Sequence, residues 1–279
     1  MATRAIMLPV AAGRSRAAEI ARGSWAKTWP LIGAAALLIA TWQAVVWVGV
    51  WPDYLLPGPL EVFGRLAEDL RDPELYSAFM TTGTRAFAGY SLAVAVGLTL
   101  GLAVSRSAIV RSAMGSLITG LQSMPSIAWF PLAILLFGLS EAAITFVVVL
   151  GAAPAVANGL ISGVDHIPPL LLRYGRVAGA KNFSLYKRIV LPAALPSFVG
   201  GLKQGWAFAW RSLMAGELLV IIAQRPSLGA RLQFAREFAD APGLLSIMII
   251  ILLVGIVVDR LFGLADAWIR ERWGLVEQR

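Results

Sequence analysis

The sequence predicts an all-α, polytopic membrane protein with about six transmembrane helices and both termini in the cytoplasm. Three observations carry this. Of 279 residues, 58% are hydrophobic and only 14% charged, and mean hydropathy is +0.74, more apolar than a soluble domain tolerates. Uncharged runs recur at about 20 residues, the length an α-helix needs to cross about 30 Å of hydrocarbon. The basic residues gather in alternate links between those runs. They flank apolar segments, so the net charge of +8 points to a membrane surface and not to nucleic acid. The absence of cysteine excludes disulfides and thiolate metal sites.

Taken in order, residues 1–28 form a basic arm with Arg4, Arg14, Arg16, Arg22 and Lys27. It lacks the compact apolar stretch and small-residue cleavage site of a signal peptide. The first crossing is expected at 29–51, with Trp29, Trp47 and Trp51 near the interfaces. Residues 52–85 form an outer-face segment in which Pro59, Leu60, Val62, Phe63, Leu66 and Leu70 recur at near-helical spacing. Asp72-Pro73-Glu74 then reads as a helix start: an N-cap acid, proline at the first helical position and a second acid at the positive dipole end. That helix runs toward a second crossing at 86–104.

The third crossing is expected within 112–139 and the fourth at 142–164, with Glu141 at the tip of a tight turn between them. Gly97 and Gly101, and Gly159 and Gly163, form GxxxG pairs suited to close helix packing. The fifth, 196–223, contains Lys203, Arg211 and Glu217. A central Arg or acid costs about 2.5 to 3.5 kcal/mol, while each large apolar residue returns about 0.3 to 0.6. The segment therefore needs neighbouring helices or a wet cavity to shelter Arg211 and Glu217. The sixth crossing is expected at 244–258. The core of the chain then covers 86–264, followed by a cytoplasmic tail, 265–279.

Seventeen Lys and Arg fall on the side shared by both termini, against six on the other side amid nine acids. The positive-inside rule makes the first side cytoplasmic. It includes the island 165–203, with Arg173, Arg176, Lys181, Lys187, Arg188 and Lys203 against the single acid Asp165.

Missing chemistry narrows the function. There is no phosphate-binding loop, so the chain is not expected to hydrolyse ATP. No nucleophile elbow or HExxH motif is present, and the single histidine, His166, lacks partner ligands for a metal. No catalytic residue, cofactor or metal is expected.

The island has a readable design. Proline-marked Ile167 to Leu172 leads to a short helix over Arg173 to Ala180 bearing Gly175, Ala178, Gly179 and Ala180. Phe183, Leu185, Tyr186, Ile189 and Leu191 follow as apolar anchors, and Pro192 and Pro196 are expected to stop the element. A basic loop held at anionic headgroups explains the charge but not the glycine and aromatic punctuation.

Gly179-Ala180, Phe183 and Ile189-x-Leu191-Pro192-x-x-Leu195-Pro196 resemble the cytoplasmic signature loop of the membrane-spanning subunits of type I ABC importers. Thr84-Arg85 with Gly89, Gly97 and Gly101, Met124-Pro125-Ser126-Ile127-Ala128-Trp129-Phe130-Pro131-Leu132, Phe137 to Glu141, Gly216-Glu217-Leu218, Leu228-Gly229 and the tail from Asp259-Arg260 to Arg272-Trp273 are similar to the branch serving nitrate, alkanesulfonate, taurine and related solutes. The resemblance runs from Leu56 to the C-terminus.

It implies the type I ABC importer permease fold in the cell membrane. It also implies a permease homodimer, a pair of separate ATP-binding subunits, and an extracytoplasmic substrate-binding protein delivering a small anionic solute such as a sulfonate, taurine or nitrate. The loop 173–196 would couple to the ATPase through Arg173, Tyr174, Gly175, Ala178, Gly179, Ala180, Lys181, Phe183, Leu191 and Pro192. Arg211 and Glu217 are the expected translocation-path residues, with a buried structural pair or snorkelling as the competing account.

One departure stands out. The family loop opens with an acid and two alanines where this chain has Arg173, Tyr174 and Gly175. Either the partner is adapted to Arg173, the coupling geometry differs, or coupling is impaired. A channel or secondary transporter with spans broken at Met124-Pro125 and Ala153-Pro154 is the rival class, and a membrane scaffold a further one.

Overall fold

The computed structural model describes residues 16–180 and 182–272, and all regular structure among them is helical. In order, the helices are α1 (Arg16–Val48), α2 (Pro59–Asp69), α3 (Pro73–Arg106), α4 (Ala108–Ser123), a 3₁₀ turn (Ser126–Trp129), α5 (Phe130–Phe137), α6 (Glu141–Asp165), α7 (Pro169–Val177), α8 (Asn182–Leu185), a π turn (Tyr186–Val190), α9 (Leu191–Leu219), α10 (Leu228–Glu237) and α11 (Ala241–Arg272). The chain divides into two compact units at Glu61 and Val62. In the first, α1 carries an apolar span, Trp29–Val48, and ends at Gly49, whose φ of 70° suits glycine. The Trp42 indole donates to the Pro57 carbonyl at 3.1 Å, folding the segment after α1 back along it.

The second unit is organised around α6. Its apolar window is 56% buried, against 28% for α3 and 22% for α11, which makes it the central helix. Small residues allow this. A side chain at Gly97 would stand 2.7 Å from the Ala153 carbonyl, and one at Gly201 would stand 2.6 Å from the Gly159 Cα. The α3 and α9 backbones thus approach α6 where Cβ atoms would prevent it. Both GxxxG pairs of the sequence lie at such contacts.

Asp72 caps α3, its carboxylate accepting from the Glu74 N–H at 2.9 Å. The helix then runs 34 residues without interruption, so residues 73–85 of the expected outer segment belong to the membrane-crossing helix. Hydrogen bonds from Arg231 and from the Glu74 backbone hold the Asp72 carboxyl below its ordinary value. A depressed folded-state pKa contributes stability at neutral pH that is lost as pH falls below the usual carboxylate range.

The expected third crossing is not one helix. Ile109–Ser123 and Ser126–Phe137 meet at 103°. Pro125 disfavours the α conformation at the residue before it, and Met124 is extended (φ −77°, ψ 129°). The same chemistry at Ala153-Pro154 leaves α6 helical through Pro154. There residues Ala152 to Ala157 are all buried between α3 and α9, whereas Ser123 to Pro125 are exposed. Packing overrides the local preference in one place and not in the other.

Pro192 and Pro196 likewise lie inside the helical run and do not stop it. In a regular turn the Pro192 ring would crowd the Arg188 carbonyl. The wider π turn falls at that point, with the Leu191 N–H bonded to the Tyr186 carbonyl. Four helices are long and apolar enough to cross a membrane, and the bent pair adds a fifth candidate. α9 is long enough at 29 residues but carries the charges noted above. α11 is longer than expected and extends through residues 265–272.

Charge-bearing side chains tie the outer ends together. Glu217 on α9 is fully buried, and Arg85 on α3 is 8% exposed. Arg85 donates from Nη1 to Glu217 at 2.9 Å, and from Nε and Nη2 to Glu141 at 2.7 and 2.6 Å. Glu217 also accepts from the Thr82 hydroxyl at 2.9 Å and from the Gly229 N–H at 3.0 Å. The Leu228 N–H reaches Thr82 Oγ1 at 3.0 Å, and Arg225 lies 3.5 Å from Glu141. Two arginines balance two glutamates across α3, α6, α9 and the start of α10. A second set joins α2, α3, α10 and α11: Ser246 donates to Asp69 at 2.6 Å, Arg231 pairs with Asp72 at 2.7 Å and Arg65 with Asp240 at 3.1 Å.

Two stability predictions result, both read as thermal or denaturant unfolding in detergent. Removing one partner of a buried pair costs about 3 to 5 kcal/mol, while replacing both by apolar residues often costs far less. Arg85→Leu therefore destabilises strongly, and Arg85→Leu with Glu217→Leu recovers part of the loss; a double variant worse than the sum of the singles contradicts the pairing. At the α6–α9 contact, Gly201→Ala destabilises by about 1 to 3 kcal/mol through overpacking. At the neighbouring Gly200, which has open space around it, alanine is neutral or gains up to about 1 kcal/mol of helix propensity.

Candidate functional site

The basic island, residues 165–203, folds as two short elements laid on the start of α9. α7 begins after Pro168 with Pro169 in its first turn. It ends in a glycine-type cap: the Ala180 N–H bonds to the Gly175 carbonyl at 2.9 Å and the Gly179 N–H to the Arg176 carbonyl at 3.1 Å. Gly179 has a φ of +82° with open space around it, a conformation that glycine adopts without cost. Gly175 is buried, and a side chain there would run into Ile189 and Leu185. α7 therefore rests on the α8 and π-turn segment through its glycine face.

The opposite face of α7 is uncovered. Leu170, Tyr174 and Val177, spaced as one helical stripe, are 76%, 70% and 89% exposed. Arg173 and Arg176 flank the stripe and are exposed as well. Of the other expected coupling residues, Ala178 and Gly179 are exposed, Ala180 and Pro192 are half-buried, and Leu191 is exposed on α9. Lys181 lies outside the described residues, as does the Phe183 side chain. The Arg106 guanidinium at the end of α3 sits over the Tyr186 ring at 5.0 Å, and Nη1 of Arg111 on α4 donates to the Asp165 carboxylate, 2.8 and 2.6 Å from its two oxygens. His166 holds the end of α6 through its Nδ1, 2.8 Å from the Ser162 carbonyl. Among the described residues no group of His, Cys, Asp and Glu is placed to hold a metal.

The two expected path residues part company. Arg211 is on the exposed side of α9, its Nε donating to the Ala207 carbonyl at 3.1 Å and its guanidinium over the Phe208 ring at 5.1 Å. Glu217 is sealed in the cluster with Arg85 and Glu141. Sequence reasoning treated Arg85 as an outer-loop cation and Glu141 as a turn tip. The available signal was the price of Glu217 itself: an acid inside an apolar run requires a base at matching depth.

The residues 93–271 match the family model described as the binding-protein-dependent transport system inner membrane component. A protein of Brucella melitensis biotype 1, described as a probable ABC transporter permease protein, is 30% identical over 76% of this chain and 85% of its own. The taurine transport system permease protein of Escherichia coli K12 is 27% identical over 83% of this chain and 87% of its own. An inward-facing structure of the MetNI methionine ABC transporter shares the fold, with a TM-score of 0.61 at 17% identity over 70% of this chain and 96% of that one. This chain belongs to the binding-protein-dependent transport system inner membrane component family and is a multi-pass inner-membrane permease subunit of the ABC importer class.

Proposed function

We propose that two copies of this chain form the path for a small anionic solute of the sulfonate or taurine kind, that each α7 docks on a separate ATP-binding subunit, and that an extracytoplasmic binding protein supplies the solute. The observation that carries the docking reading is the uncovered stripe of Leu170, Tyr174 and Val177 between two cations. An apolar helix face in the cytoplasm is stabilised by a partner groove that covers it.

The mechanical consequence follows from connectivity. α7 rests through Gly175 on the segment that continues directly into α9. α9 spans about 43 Å at the helical rise and ends in the buried cluster. Force applied to α7 by closure of the ATP-binding pair is therefore delivered along α9 to the outer ends of α3 and α6. In this reading Glu217 serves the path by anchoring α9, and Arg211 is the cation that meets an anionic solute. Support for the solute class comes from that one exposed guanidinium at span depth and from the taurine relative.

The first test is composition: the chain purified from its native membrane carries a stoichiometric ATP-binding subunit, and its absence defeats the importer reading. In that complex Gly179→Asp leaves the fold intact, because aspartate is among the residues that tolerate positive φ. It places a carboxylate beside the docking stripe. Solute-stimulated ATP hydrolysis is expected to fall by about tenfold, the effect of roughly 1.4 kcal/mol of docking free energy, while thermal stability barely moves. Undiminished stimulation rules out the coupling role. Separately, Arg211→Gln is expected to raise the solute concentration for half-maximal uptake while basal hydrolysis stays normal. Unchanged uptake removes Arg211 from the path.

A further inference from the structure

A cavity of about 540 Å³ opens between α9 and α11, and nothing in the transport reading uses it. Met214, Met248, Leu252 and Ile256 form its apolar wall, and Asp259 and Arg260 stand at its cytoplasmic end. Trp210 lies across it from Gly255, the indole nitrogen 3.7 Å from where a side chain at that glycine would begin. Gly255 therefore keeps the slot open beside an indole N–H.

Its polarity is graded along the bilayer normal. The depth is apolar, and the charged rim is confined to the cytoplasmic level. At that rim Lys203 pairs with Asp259 at 2.9 Å, which leaves Arg260, exposed, with no carboxylate partner among the described residues. Gly255, and with it the Trp210 N–H, lies one helical turn deeper than Asp259, about 6 Å. The order of groups from cytoplasm to membrane centre is thus cation, neutral hydrogen-bond donor, hydrocarbon. Two methionines in the wall suit a mobile chain, because the thioether deforms at little cost.

We propose that this slot holds one anionic phospholipid of the inner leaflet: its phosphate on Arg260, an ester carbonyl accepting from Trp210 Nε1, and an acyl chain along Met214, Met248 and Ile256. The graded polarity favours a lipid over a second copy of this chain, whose crossing helix would cover the apolar wall but bring no anion to Arg260 at the headgroup level. The proposal is independent of the importer reading and stands or falls without it.

Native mass spectrometry of the full-length chain in detergent, titrated in parallel with dioleoyl phosphatidylglycerol and dioleoyl phosphatidylethanolamine, tests it. Phosphatidylglycerol is expected to be retained about fivefold better, the preference that one cation confers near an anionic headgroup. Arg260→Gln, at an exposed position, abolishes that preference without disturbing the fold. Trp210→Phe weakens both lipids together, since both carry ester carbonyls, and Gly255→Leu fills the slot and removes both. Equal retention of the two lipids by the unaltered chain overturns the proposal, as does an Arg260→Gln profile matching it. Efficient disulfide cross-linking of Met248→Cys between two chains in native membranes also overturns it, by showing that a second copy covers the slot.

Discussion

Everything in the second unit depends on how closely the α6 backbone approaches α3 and α9. Within a bilayer, lipid tails are as apolar as the helix faces, so burying leucine against leucine supplies little drive for association. What remains is van der Waals contact and internal hydrogen bonding, and both require backbones to come near. Gly97 against Ala153, and Gly159 against Gly201, provide that approach. Ala152 to Ala157 then fill the space on α6 without holding its neighbours away. The result is a central helix whose conformation is enforced from outside, which is why it survives Pro154.

The same approach makes the buried charges tolerable. Glu217 is affordable because α3 delivers Arg85 and Thr82 to it at the same depth, and α10 adds the Gly229 N–H. Here both oxygens of Glu217 accept hydrogen bonds, and two arginines face two glutamates. Because the arginine bridges two acids on different helices, the outer ends of α3, α6 and α9 are held as one body. The end of α9 toward the cytoplasm has no comparable lock: it emerges from a π turn, a geometry frequent at functional positions.

Much of this was legible in the sequence. The Asp72-Pro73-Glu74 start, the helical class and the packing glycines all follow from local spacing. What was not legible depends on neighbours far along the chain. Met124-Pro125 and Ala153-Pro154 look alike in sequence, and only burial distinguishes the break from the unbroken helix. Arg85 and Glu217 lie 132 residues apart, so no periodicity links them. Counting along α9 relates Glu217 only to Arg211, about 120° around the same helix, and is silent about α3. The proline stop at 192 failed for a related reason: the rule concerns a regular α turn, and one wider turn evades it; the helix also continues through Pro196, for which no such turn is present.

The two ends of α9 are held by different kinds of contact. α9 is anchored on the outer side by charge-assisted bonds and seated on the cytoplasmic side through Gly175 against Ile189, an apolar contact without hydrogen bonds across it. Apolar contacts slide at lower cost than ion pairs break, because no buried partner is left unsatisfied. In the coupling role proposed for α7, its displacement would be taken up first at the π turn and the Arg106–Tyr186 contact.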